Sequence, residues 1–217
     1  MPRFVSLLAS AVCLASLALF ARSAAAADHF VPLFNGNNLD GWDGDPELWR
    51  VADGVIVGST ESKKLAANSF LATKKAYKNF VLKAKFKLRN HNSGIQFRSQ
   101  QHKDYRVTGY QADIADNKFM GILYEEGGRG ILADVTPAFT AKVTPEEVAK
   151  HVNLADWNEY VITADHAHIT QAINGFTTVD YTETSDKGAT EGIIALQLHA
   201  GPPMQVEFKG IEIAELP

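Results

Sequence analysis

From Phe80 to Leu88 the chain alternates: Phe80, Leu82, Ala84, Phe86 and Leu88 are interleaved with Val81, Lys83, Lys85 and Lys87. A period of two puts one side of a strand in a core and the other in water, as antiparallel sheets do. Asp53-Gly54 separates the apolar runs 49–51 and 55–57, and Asn174-Gly175 separates 169–173 from 176–181. Both dipeptides accept the left-handed backbone of a two-residue hairpin turn. Residues 160–164 complete a meander with the second hairpin, and 193–198 and 206–213 supply the last strands. Thr144-Pro145-Glu146-Glu147 reads as a helix start, with a capping hydroxyl, proline at the first helical position and a glutamate at the third. It predicts one short helix over roughly 145–152, within the long connection between Ala133 and Asp156. Many short strands, no internal repeat and no second domain predict an all-β sandwich of two antiparallel sheets.

The first 27 residues stand outside that pattern. Arg3 gives a positive start, an apolar run extends from Phe4 to Phe20, and Ala25-Ala26-Ala27 offers a small-residue cleavage site before Asp28. This reads as a signal peptide on residues 1–27, followed by a mature domain over 28–217. The expectation is export, to the periplasm or the outside, with no membrane span after cleavage. Cleavage removes Arg3 and Arg22, leaving 19 basic residues against 25 acidic ones. A mildly acidic protein with scattered lysines is a poor partner for nucleic acid. The only cysteine, Cys13, goes with the leader, which excludes a disulfide framework, cysteine metal ligands and a thiol nucleophile.

Ligands of a sandwich meet the outward face of a curved sheet, so strands with specific polar groups on their wet side are the candidates. In residues 92–98, Ile95 and Phe97 claim the core and leave Asn92, Gln96 and Arg98 outside. In 110–114 one parity pairs Gln111 with Asp113. In 121–126, Ile122 and Tyr124 share one face and Leu123 and Glu125 the other. In 194–199, Leu196 and Leu198 pack inward while Gln197 and His199 look out. Arg98, Gln111, Asp113, Glu125, Gln197 and His199 are thereby expected on one concave face. Arg129 is expected at its rim, on the glycine-rich loop 125–130. An ordinary solvated strand surface is the alternative for each residue taken singly. Asp165-His166-Ala167-His168 has a spacing that could hold a metal but reads better as a hairpin turn. Trp42, Trp49 and Trp157 read as packing residues. No metal site and no cofactor are indicated.

The strings themselves are familiar in order: Phe34-Asn35-Gly36, Leu39-Asp40-Gly41-Trp42, residues 49–54, 92–98 and 109–114, Trp157-Asn158, Ile173-Asn174-Gly175 and Leu196-Gln197-Leu198-His199. Together they resemble the 3-keto-disaccharide hydrolase family, described also as 3-keto-glycoside lyases and hydratases, over nearly all of the mature chain. The resemblance implies a concanavalin A-like jelly roll and a sugar or glycoside partner whose C3 hydroxyl has been oxidised. The sequence departs from the commoner pattern by carrying Gln111 and Asp113 where many relatives have glutamate and glutamine. A C3 ketone acidifies the C2 hydrogen, so such a site needs a base near C2, a donor near the C3 oxygen and an acid near the leaving oxygen. His199 or Asp113 suits the base, Arg98 the enolate stabiliser and Glu125 the acid, with Gln111, Gln197, Gln96, Tyr124 and Arg129 orienting hydroxyls. A glycoside hydrolase of ordinary mechanism and a non-catalytic carbohydrate-binding module on the same fold are the alternatives.

Overall fold

The structure, a computed structural model, describes residues 29–133 and 143–217. The expected signal peptide and the 134–142 part of the long connection lie outside the described residues. The strands are β1 (Val31–Pro32), β2 (Trp42–Asp43), β3 (Trp49–Ala52), β4 (Val55–Ser59), β5 (Ser69–Tyr77), β6 (Phe80–Leu88), β7 (Asn92–Gln101) and β8 (Val107–Ala115). They continue with β9 (Leu123–Glu126), β10 (Gly130–Ala133), β11 (Asn158–Asp165), β12 (His168–Ile173), β13 (Phe176–Thr182), β14 (Gly192–Leu198) and β15 (Gln205–Glu215). Helix α1 (Pro145–His151) begins where expected, with Thr144 Oγ1 accepting from Glu147 N at 3.3 Å.

The back sheet runs β13-β12-β11-β6-β15-β4-β3, with β1 beside β15, and the front sheet runs β10-β9-β8-β7-β14-β5-β2. Every pairing is antiparallel. Alternation supplies the core: Leu82, Ala84 and Phe86 of β6 and Ile162 of β11 meet Ile95, Phe97, Ile114, Leu196 and Leu198 of the front sheet, all almost wholly buried. Full burial of each large side chain is worth roughly 1.5–3 kcal/mol. Asp53-Gly54 and Asn174-Gly175 both turn with positive φ, as their hairpins require. Trp42 and Trp49 lie in the core, and Trp157 lies under the Lys209 ammonium, 3.8 Å from its ring centre.

One departure from a flat sandwich shapes the outer face of the front sheet. The β7–β8 ladder slips between Phe97 and Gln100, Arg98 takes φ 46° and Gly109 φ 138°. A Cβ at Gly109 would lie 2.7 Å from Ser99 Cα, so only glycine fits this corner. Beyond it the hairpin folds over the outer face of its own sheet. Val107 buries itself against Phe70, Ala72 and Ala195. Gln101 Nε2 donates to Asp43 Oδ2 at 2.9 Å, reaching the far edge strand β2. Asn68, just before β5, donates through Nδ2 to Glu126 Oε1 on β9 at 3.1 Å, although β8, β7 and β14 separate the two strands in the sheet.

Candidate functional site

Strand parity turns Gln96, Gln111, Asp113 and Gln197 away from the core, yet the folded hairpin leaves them only 0–6% exposed. They form the floor of the front sheet's outer face. Gln96 Nε2 donates to Gln111 Oε1 at 2.8 Å, and Gln111 Nε2 donates to Asp113 Oδ1 at 2.5 Å. Gly94 makes this line possible, because a Cβ there would sit 2.5 Å from Gln111 Cδ. Asn92 Nδ2 lies 3.4 Å from Asp113 Oδ2, and Ser99 Oγ donates to Gln96 Oε1 at 2.7 Å. Tyr160 in the core anchors β8 from below by donating its hydroxyl to the Asp113 carbonyl at 2.8 Å. Both ends of the Gln197 amide, fully buried on the same floor, lack a partner among the described residues. A buried amide without a partner costs on the order of 1–3 kcal/mol, which a ligand hydroxyl or carbonyl would recover.

Around Asp113 stand Tyr124, paired across the ladder with Gln111, and Glu126, two residues further along β9. Burial pushes the Asp113 carboxyl up from 3.8 to about 7, opposed by the donors Gln111 and Asn92 and helped by the charge of Glu126. Burial raises the Glu126 carboxyl as well, against the hydrogen bond from Asn68. The His199 imidazole is moved the other way, below its ordinary 6.5, by burial and by the neighbouring His91. Asn68 ties the two sides of this ring together, since its Oδ1 accepts from Ala200 N at 2.9 Å while its Nδ2 holds Glu126. Two openings adjoin the hairpin. One, of about 950 Å³, is lined by Arg98, Ser99, Thr108, Glu125, Glu126 and Arg129. The other, of about 560 Å³, is lined by Asn68, Phe70, Arg106, Val107, Thr108 and Glu126.

The structure therefore gathers Gln96, Gln111, Asp113, Gln197 and His199 on one face, as strand parity implied, and brings Tyr124 there in the place expected for Glu125. Arg98 and Glu125 line the larger opening, but their side chains are turned off that floor. The bulge after Phe97 swings Arg98 off the outer face, and Ser99 takes the outward position. The Arg98 guanidinium, 2% exposed, donates to Lys78 O (2.7 Å), His166 O (2.6 Å) and Asn79 Oδ1 (3.0 Å), in turns that flank the back sheet. With its donors committed there, Arg98 is a structural residue and not an enolate stabiliser. Glu125 follows Leu123 to the opposite side of β9 and binds Arg129 in a fork of 2.7 and 3.1 Å. Arg129 does line the rim, but Glu183 also accepts from it at 2.7 Å, and Tyr110 Oη donates to Glu183 at 2.8 Å. Its charge is neutralised in a rim network, and Arg129 holds both carboxyls below the usual range. Glu125 is thus a poor proton donor.

Glu126, Asn68 and His91 are functional candidates that the sequence reading passed over. Glu126 was within reach of it, because a residue two along from Tyr124 must share the face of Tyr124. Asn68 and His91 lie in loops, where no periodicity marks them. In the turn 165–168, His166 Nδ1 meets Asp165 at 2.6 Å and His168 Nε2 meets Asp180 at 2.7 Å. Among the described residues no group of three or more His, Cys, Asp or Glu is arranged to hold a metal ion.

Two packed antiparallel sheets with a roofed polar face define a jelly-roll protein with a candidate ligand site on that face. The chain belongs to the family of 3-keto-alpha-glucoside-1,2-lyase-like domains, whose family model matches residues 29–214. A candidate glycosyl hydrolase from Parabacteroides distasonis is 26% identical, with a TM-score of 0.64 over 88% of this chain and 95% of that one. The carbohydrate-binding module CBM66 from Bacillus subtilis is 14% identical, with a TM-score of 0.59 over 81% of this chain and 96% of that one. A Bacillus subtilis protein of unknown function with a galectin-like fold is 12% identical, with a TM-score of 0.60 over 86% and 94% of the two chains. The last two share the fold. Among curated proteins, none matches the chain.

Proposed function

We propose that the protein is an exported enzyme that cleaves 3-keto-glycosides by elimination across C1–C2, followed by hydration. The observation that carries this reading is a pair of titratable groups on one face with opposite shifts: His199 is driven toward the neutral imidazole and Asp113 toward the neutral carboxyl. Near neutral pH such a pair is a ready base and a ready acid. His199 takes the hydrogen from C2, and the electrons of that bond form the enolate of the C3 ketone. The enolate collapses to a C1=C2 double bond and expels the glycosidic oxygen, which receives the Asp113 proton. Water then adds to C1, giving one proton to Asp113, while the imidazolium returns its proton to C2. The Gln197 amide, buried without a partner on the same floor, becomes the donor to the C3 oxygen once the hairpin above it opens, a contact of a kind worth about 10²–10³ in rate. Glu126 helps to keep Asp113 protonated through its negative charge.

The test is to incubate the mature protein with a glucoside and its 3-keto counterpart and follow release of the aglycone. Release from the keto compound alone is expected, and His199→Gln should reduce it by about 10²–10⁴. Release from the unoxidised glucoside would point to an ordinary glycosidase, and binding without release to a carbohydrate-binding module. Export carries its own test. Mass spectrometry of the protein from the native host's envelope or medium should find a chain beginning at or within a residue of Asp28. A full-length chain confined to the cytoplasm would overturn the export reading.

A further inference from the structure

His91 precedes β7 with φ 73°, a backbone conformation uncommon outside glycine. Two backbone contacts hold it there: His91 N donates to Asp116 Oδ2 at 2.8 Å, and Asp116 N donates to His91 O at 3.1 Å. The result is an edge-on approach to His199, with ring centres 4.9 Å apart and planes at 88°. His91 Nε2 comes to 3.2 Å from His199 Nδ1. The same Nδ1 lies 2.5 Å from the carbonyl oxygen of Ala200. A carbonyl only accepts, so the proton of a neutral His199 belongs on Nδ1. His91 Nε2, facing that N–H, must then present its own lone pair.

We infer that His91 is a positioning residue that, together with the Ala200 carbonyl, locks His199 as the Nδ1–H tautomer and leaves its Nε2 as the nitrogen with the free lone pair. The inference rests on the proposed role of His199 only for its kinetic consequence. In an uncapped imidazole both tautomers are populated and the ring turns, so only part of the protein presents a basic nitrogen in a fixed direction. With Nδ1 held by two acceptors from different loops, one nitrogen is reserved as the base.

The experiment is ¹⁵N NMR of histidine-labelled mature protein at neutral pH, with the His199 signals assigned by their loss in His199→Gln. The expected spectrum shows a protonated, pyrrole-type Nδ1 and an unprotonated, pyridine-type Nε2. His91→Asn tolerates the left-handed backbone but is too short to reach His199; with the Ala200 carbonyl left as the only acceptor, both nitrogen shifts should move part of the way toward averaged values as the ring gains freedom. His91→Gln, whose amide oxygen can accept from Nδ1–H, should restore the native pattern. In turnover of a 3-keto-glucoside, His91→Asn should lower kcat by about tenfold at little change in KM, and His91→Gln should recover most of it. A native His199 protonated on Nε2, or a His91→Asn spectrum identical to the native one, would overturn the inference. Because the tautomer is read without substrate, an inactive protein with the expected spectrum refutes the proposed reaction and leaves the inference standing.

Discussion

Asp113→Asn is expected to abolish release of alkyl and sugar leaving groups from a 3-keto-glucoside, to spare release of nitrophenol, and to make the fold more stable above neutral pH. The first two effects follow from the role of a general acid. An alkoxide needs a proton to depart, whereas nitrophenolate leaves without one, so loss of the acid is felt only where the leaving group is poor. Rates with paired alkyl and nitrophenyl substrates check this, and equal losses on both would show that Asp113 does not protonate the leaving oxygen. The pH profile of kcat/KM in the native enzyme should be a bell. It rises as His199 loses its proton below 6.5 and falls as Asp113 ionises near 7.

The stability effect comes from the same burial. A carboxyl with a raised folded value binds its proton more tightly in the native state than in the unfolded chain. Between 3.8 and about 7 the unfolded chain has released the proton and the native state has kept it, so stability falls as pH rises through this window. The full difference is about 4 kcal/mol of preference for the protonated form. Asparagine has no such slope. Denaturation at pH 4 and pH 8 should show the variant gaining on the native protein at the higher pH. A native protein whose stability is flat across that interval would contradict a neutral Asp113.

Arg98→Met should leave the chemistry nearly intact and weaken the fold. Three acceptors, Lys78 O, His166 O and Asn79 Oδ1, lose a charged donor in a site 2% exposed. Loss of this set costs about 3 kcal/mol or more. For a domain of this length that is a Tm lower by roughly 6–12 °C. Well below the new Tm, kcat should fall by less than about tenfold, against the 10²–10³ expected when an oxyanion donor is removed. Calorimetry and turnover on the same preparation separate the two. A stable variant with a hundredfold lower kcat would return Arg98 to the reaction.

The sandwich was legible because alternation is written into strands such as Phe80–Leu88, and the turns at Asp53-Gly54 and Asn174-Gly175 carry their own backbone chemistry. The floor was legible for the same reason: Gln96, Gln111, Asp113 and Gln197 follow from the apolar neighbours that claim the other side. Arg98 was not, because one bulge inverts parity, and a bulge is decided by how two strands pair. Glu125 was misplaced where the alternation of 122–126 already favoured Glu126. The folding-over of the β7–β8 hairpin left no mark beyond Gly109. Asn68 and His91 reach the site through loops, whose course is set by tertiary contacts and not by any period in the chain.

The order of strands across the sheets also dictates when the molecule can exist at all. β15 lies between β6 and β4 in one sheet, and β14 lies between β7 and β5 in the other. Both centres are the last two strands of the described chain, and β14 meets β5 across more than a hundred intervening residues. Until residues 192–215 emerge, each sheet is two fragments with open inner edges, and the floor lacks Gln197 and His199. Loop closure over such separations makes folding slow, on the millisecond-to-second scale of sandwiches with non-local pairing. A growing chain of this topology cannot fold from its N-terminus as it is made. Its exposed strand edges must stay apart until β14 and β15 arrive, so misassembly is most dangerous in the interval before residues 192–215 are made.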